Sequence, residues 1–350
     1  MEICFQLAVH DSDYDDLATK FGDHFLWIAH AMNRLGPDGM WDEEDGFYYD
    51  ILRLPDGTAT RLKVRSMVGL LPVCATTVVE PWQRERLPHF LELFAERLRR
   101  MPWHFQSIHP TGPGHFGVAG RGIAALAGPD RLRRILSRMR DENEFLSPYG
   151  LRAVSRYHTE HPYVFWVHGE EYRVDYLPAE SNTGMFGGNS NWRGPIWMPV
   201  NVMLIRALLQ FYLYYGDNFK VECPTGSGNL MNLFEVNREI STRLQRIFLR
   251  DERGRRPVYG VWRSSRPIPT GGITCCSTNT STETTEQAWG PAIRRVGRGR
   301  WRNSSSFTAT WIQTRCLKPD GLRRSCVRVR PKCGRIQNDS GVGNLVPRNS

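Results

Sequence analysis

Apolar side chains recur every three or four positions through much of the first 260 residues, which is the spacing of one face of an α-helix. Tyr14, Leu17, Phe21, Phe25, Ile28, Met32 and Leu35 form the longest such line and predict a helix with that stripe turned inward. Met67, Leu70, Leu71 and Val78 predict a second helix, ending at Glu80-Pro81 because the residue before proline avoids helical angles. "RERLPHFLELFAERLRRM" and "PDRLRRILSRMRDENEF" predict two more, the latter with Pro129 and Asp130 in its first turn. "VNVMLIRALLQFYLYYGD" is apolar on nearly every side, which predicts a buried helix closed by Gly216. Leu230, Leu233, Phe234, Ile240, Leu244, Ile247 and Phe248 define a last amphipathic helix. "GFYYDIL" and "EEYRVDYL" are the best strand candidates. The fold class expected is mainly all-α, with long aromatic-rich loops at helix ends.

After Tyr259-Gly260 the periodicity stops. Residues 261–350 are poor in large apolar side chains and rich in Arg and Ser, a composition that predicts a disordered tail. This boundary changes how charge is read. The chain's net +10 suggests a nucleic-acid partner until it is located. Residues 261–350 hold 16 Lys and Arg against 4 Asp and Glu, whereas residues 1–260 hold 30 against 32. The basic character belongs to the tail and says nothing about the ligand of the main domain. Without a recognisable module or interleaved aromatics, the tail supports only non-specific, salt-dependent phosphate binding. No apolar run approaches membrane-spanning length, and the opening residues lack a basic n-region, so the expectation is a soluble, cytoplasmic protein.

Two stretches carry chemistry. In "MWDEEDGFYYD", Asp42, Glu43, Glu44 and Asp45 stand beside Trp41, Phe47, Tyr48 and Tyr49. Aromatic faces suit the C–H face of a sugar and carboxylates its hydroxyls, although a solvated acidic turn has the same composition. In "GGNSNWRGPIWMPVN", the Gly187-Gly188 pair permits close backbone approach, while Asn189, Asn191, Arg193 and Asn201 supply polar contacts. Trp192 and Trp197 supply flat apolar faces, and Pro195 or Pro199 can open the apolar helix that follows. The same pattern also fits a packed helix-start loop. The substrate-binding candidates are therefore Trp41, Asp42, Glu43, Asn191, Trp192, Arg193, Trp197 and Asn201.

Other signals fail on context. Gly112, Gly114 and Gly117 match a dinucleotide fingerprint, but no apolar strand precedes them. His158, Glu160 and His161 lack zinc-protease spacing and read as a surface turn. Five of the eight cysteines lie in the tail without a CxxC pair. No metal or cofactor is expected.

Several segments together resemble a known family. "WDEEDGFYYD", "LKVRSMVGL", "DENEFLSPYGLRAVSRYH", "AESNTGMFGGNSNWRGPIWMPVN" and "RPVYG" are similar to the bacterial branch of glycoside hydrolase family 63, almost continuously from Met1 to Gly260. That family includes mannosyl-oligosaccharide glucosidases and mannosylglycerate and glucosylglycerate hydrolases. The resemblance implies that residues 1–260 are the C-terminal portion of an (α/α)6 barrel, a partial toroid. Its partner would be an α-linked oligosaccharide or a glycosylglycerate. It also implies an inverting mechanism, in which a carboxylic acid protonates the leaving oxygen and a carboxylate activates water from roughly 6.5–9.5 Å away.

The resemblance places the acid in an earlier part of the barrel and the base in a glutamate motif after "RPVYG", and neither is matched here. The tail suggests why. Back-translated from Ser265 and read one base earlier, it spells FQADPHWRDHLLLYEYFHG, then DNGAGLGPSHQTGWTG, which are the segments the resemblance calls for. The expected base would be spelled across Thr278 and Asn279, neither of which is a base. The sequence thus reads as a frame-shifted glycosidase fragment without an intact catalytic pair. The competing readings are a working glycosidase that uses the Asp42/Glu43 carboxylates, and nucleic-acid binding through the tail.

Overall fold

The computed structural model describes residues 1–36, 38–100, 108–110, 114–177, 196–254 and 256–259. Helices carry the core. In chain order they are α1 (Glu2–Ala8), α2 (Asp15–Asn33), α3 (Pro81–Arg86), α4 (Pro88–Arg100), α5 (Pro129–Met139), α6 (Met198–Tyr215) and α7 (Leu233–Arg246). Among the described residues, no helix is long and apolar enough to cross a membrane.

Helix ends follow local chemistry. Proline occupies the first turn of α3, α5 and α6, where its missing N–H would have had no helical partner. Asn232 and Glu235 form a reciprocal capping box at the start of α7. Gly216 ends α6 at φ +64, a conformation that costs glycine little. Pro88 separates α3 from α4 within what the sequence pattern suggested was one helix.

Strands are more numerous than the two expected. All those described belong to two-stranded antiparallel ribbons. β1 (Trp41–Asp42) pairs with β2 (Phe47–Tyr48), and β3 (Asp50–Arg53) with β4 (Ala59–Leu62). β5 (Thr76–Val79) pairs with β6 (Gly122–Ala125), and β7 (Leu146–Ser147) with β8 (Gly150–Leu151). β9 (Tyr163–Val167) pairs with β10 (Glu170–Val174), and β11 (Lys220–Glu222) with β12 (Leu230–Asn232).

The helix expected around Met67 to Val78 is instead a 3-10 segment, Met67–Cys74, followed by β5. Pro72 lacks the N–H that an α-helix needs there, and the β-branched run Thr76 to Val79 favours an extended chain. Gly69 in this segment is a packing requirement. A Cβ there would lie 2.2 Å from Cε1 of Phe47 and 2.4 Å from the carbonyl oxygen of Tyr48.

The main core joins Phe47 and Tyr48 with Leu70, with Leu132, Ile135, Leu136 and Met139 of α5, and with α6 and α7 through Leu204, Leu208, Phe211 and Ile240. A smaller cluster of Cys4, Phe5, Ala8, Ala18, Leu87 and Phe90 joins α1, α2 and α4. The inward side of α2 is not the expected line from Tyr14 to Leu35. Ala18, Gly22, Leu26, Ala29 and Asn33 are buried, while Leu17, Phe21 and Ile28 are exposed. Small side chains suit this side, because a Cβ at Gly22 would already touch the rings of Phe90 and Phe94 at 3.4–3.5 Å, which leaves no room for a larger group. Helix α6 is likewise exposed at Val202 and Met203, so it is not buried all round.

Candidate functional site

The acidic stretch folds as the β1–β2 hairpin. Asp42 sets its turn, since Oδ1 accepts the Asp45 amide at 2.8 Å and its carbonyl accepts the Gly46 amide at 2.8 Å. Basic side chains converge on this turn from two elements. Arg61, Lys63 and Arg65 alternate along an extended segment, so they share one face. Helix α5 buries its Leu and Ile positions and presents Arg131, Arg134 and Arg138 to the hairpin.

The resulting ion pairs form a continuous chain. Asp42 Oδ2 lies 2.8 Å from Arg61 and 3.0 Å from Lys63 Nζ, which is 3.2 Å from Asp45. Asp45 reaches Arg65 at 3.1 Å. Arg65 and Arg138 each lie 2.7 Å from Glu144 Oε1, and Ser155 Oγ donates to Glu144 Oε2 at 2.5 Å. Burial alone would raise the pKa of Asp42, but the Asp45 amide, Lys63 and Arg61 together hold it below the usual carboxylate range. Asp45 is lowered in the same way, against its own burial, by Lys63 and Arg65. Glu43 is lowered first by its bond from the Trp41 indole and then by Arg134.

This geometry bears directly on the candidates. Trp41 is 3% exposed, with its ring edge-on to Tyr48 and the guanidinium groups of Arg131 and Arg134 over it. A ring that stacks on a sugar needs an open face, and Trp41 has none. Asp42 is buried and ionised, the wrong state for a general acid. Asp42 and Asp45 share one ammonium through their Oδ2 atoms, and both pKa values are lowered, so neither is held protonated for the acid's part in an inverting pair. Glu43 is exposed and paired with Arg134.

The second group sits at the start of α6. Asn201 is 1% exposed and clamps two segments together. Its Oδ1 accepts the Leu151 amide at 2.8 Å, and its Nδ2 donates to the carbonyls of Leu151 (3.1 Å) and Trp197 (3.0 Å). Both amide hydrogens are therefore committed within the fold. Trp197 is half-buried against the main core. Ile196 forms an isolated antiparallel bridge with Arg152. Asn191, Trp192 and Arg193 lie outside the described residues, as do Thr278, Asn279 and the tail.

Loop 141–155 joins the two groups. The side chain of Glu144 faces the ion-pair chain, whereas the backbone of Leu151 meets Asn201. Arg152 is buried inside the loop and donates to the carbonyls of Glu142 (2.9 Å), Glu144 (3.2 Å) and Leu146 (2.8 Å). Arg243 of α7 reaches the Ser147 carbonyl at 3.1 Å.

His158 corrects the surface-turn reading. It is 2% exposed, its Nε2 accepts the Arg65 amide at 2.9 Å, and its Nδ1 pairs with the His161 carbonyl at 2.8 Å. Burial, with the Arg65 charge nearby, pushes its pKa down. The organising residues missed in the sequence were Arg61, Lys63, Arg138, Glu144 and Arg152. The alternation in "RLKVR" was the one available sign of the first two. Among the described residues, no group of three or more His, Cys, Asp or Glu side chains could hold a metal ion.

Comparison with known proteins bears on this region. Residues 125–225 match the Glycosyl hydrolase family 63 C-terminal domain. That span contains α5, loop 141–155, the β9–β10 ribbon and α6. "Uncharacterized protein YMR196W" of Saccharomyces cerevisiae is 40% identical over 279 residues, which are 74% of this chain and 25% of that protein. "Probable mannosyl-oligosaccharide glucosidase" of Schizosaccharomyces pombe is 33% identical over 88 residues, 25% of this chain and 8% of that protein. The chain thus spans about a quarter of the length of the first relative, and its match to the second covers under a tenth.

Proposed function

We propose that this chain is part of a family 63-type inverting α-glycosidase that keeps a wall of the saccharide site but hydrolyses nothing by itself. On this reading its helices form an arc of an (α/α)6 toroid, and the sequence after about residue 260 is a frame-shifted continuation. The observation that carries the proposal is the family match over 125–225, which takes in the loop and helix start tied together by Asn201. The match to "Probable mannosyl-oligosaccharide glucosidase" of Schizosaccharomyces pombe supports a carbohydrate substrate, which on this reading is an α-linked glucosyl or mannosyl saccharide or a glycosylglycerate.

The charges support inactivity. Inversion needs one carboxyl held protonated and another facing a water across the sugar. Asp42, Asp45 and Glu144 are instead joined to arginine and lysine. Each acid or base group contributes roughly 10²–10⁴-fold, so loss of both leaves negligible turnover.

The test is to titrate the purified chain with α-glucosides, α-mannosides and glucosylglycerate by calorimetry while assaying release of reducing sugar. Binding without release is expected. Release at enzymatic rates that disappears in Asp42→Asn would establish the competing, active reading. Genomic DNA that encodes no glycosidase segments in the neighbouring frame after residue 260 would remove the frameshift.

A further inference from the structure

Helix α2 is apolar on two opposite sides. Ala18 and Gly22 face inward on α1 and α4, Leu26 and Ala29 face the main core, and Asn33 bonds the Leu126 carbonyl and the Tyr48 hydroxyl. On the other side Leu17, Phe21, His24, Trp27, Ile28 and Ala31 are exposed, with Trp27 and Ile28 each at 56%. A helix with apolar residues all round is normally covered on both sides. We propose that two copies of this chain pair through the outer face of α2, antiparallel, about a two-fold axis at His24.

The argument is that this face complements itself. At about 100° per residue, Leu17, His24 and Ala31 fall close to one line along α2. Phe21 and Ile28 lie to one side of that line. Lys20 and Trp27 lie to the other, with Asp16 and Arg34 farther round on that side. A two-fold axis through His24, perpendicular to the helix, reverses the direction of the chain and keeps each side matched with itself. It sets Phe21 level with the partner's Ile28 and Leu17 level with the partner's Ala31. On the other side it sets Lys20 level with the partner's Trp27. Arg34 then stands within one turn of the partner's Asp16. The exposed end charges are therefore opposite in sign where the two copies meet. A parallel pairing would instead bring the Phe21 side of one helix onto the Lys20 side of the other. The self-matching favours a second copy over an unrelated apolar partner. An interface one helix wide suggests dissociation constants in the roughly micromolar range.

Sedimentation equilibrium of the full chain tests this, with circular dichroism to confirm that each variant is folded. A dimer is expected at about 100 μM, and Ile28→Glu should weaken association by roughly 100-fold. Asp16→Lys and Arg34→Glu should each weaken it about tenfold, and the two together should restore it. Several outcomes would overturn the proposal. They are a wild-type monomer at that concentration, association that Ile28→Glu leaves intact, and a double charge reversal no tighter than its single parents. Association that grows without limit, rather than stopping at two copies, would also overturn it.

Discussion

The amide of Arg65 donates to Nε2 of His158 at 2.9 Å, joining residues 93 positions apart. The bond requires a neutral imidazole with its proton on Nδ1, which is the nitrogen facing the His161 carbonyl. Burial lowers the folded pKa, so the unfolded state takes up a proton first as pH falls. The stabilisation is thus complete above the unfolded value of about 6.5 and declines as pH drops toward the lower folded value. Urea unfolding at pH 7.5 and pH 5.5 should show this loss. His158→Leu should be less stable at pH 7.5 by about 1–3 kcal/mol and should show a shallower decline across the interval. An unchanged slope would assign the pH dependence to other groups.

Glu144 and Glu43 provide a matched comparison. Glu144 accepts from two arginines and a serine inside the fold, whereas the Glu43 side chain is 76% exposed. Glu144→Gln removes the charge that Arg65 and Arg138 share, leaving both to Asp45, and should cost about 1–3 kcal/mol in chemical denaturation. Glu43→Gln should cost less than about 1 kcal/mol, and its small effect should fade in high salt.

Gly69→Ala should destabilise the chain by about 1–3 kcal/mol, because the added methyl would overlap the Phe47 ring and the Tyr48 backbone. A thermal melt is enough to measure it. A melting point equal to wild type would mean that the 3-10 segment can shift away without cost.

Asn201 distinguishes a clamp from a ligand contact. If its amide serves only to tie Leu151 to Trp197, Asn201→Ala should lower stability by about 2–3 kcal/mol and speed hydrogen exchange at Leu151. Weakened saccharide binding at full stability would instead mean that the side chain meets the sugar directly.

Helix positions were legible in the sequence wherever a long apolar period met a clear start or stop, as at Pro129 and Gly216. Which side of a helix faces inward was less so. Periodicity weighs a large exposed side chain as heavily as a buried one, and on α2 the close approach of neighbours selects alanine and glycine. Short ribbons escaped because two or three residues cannot display a period. The acidic hairpin was recognisable as special, but its meaning depended on cations from positions 61–65 and 131–138, which no local pattern connects to it. Trp41 shows the same limit, since a tryptophan among carboxylates reads alike whether its face is open or covered by arginine.

The odd-numbered cations at 61, 63 and 65 also act as a gauge for their strand. Asp50 pairs with Leu62 and Arg53 with Ala59, so β4 is held in one alignment. A slip by a single position would turn Leu62 and Val64 toward the carboxylates of Asp42 and Asp45 and swing all three positive charges outward. Misalignment would therefore cost several ion pairs at once instead of a little at each step, and the hairpin is keyed to its place by electrostatics as much as by backbone hydrogen bonds.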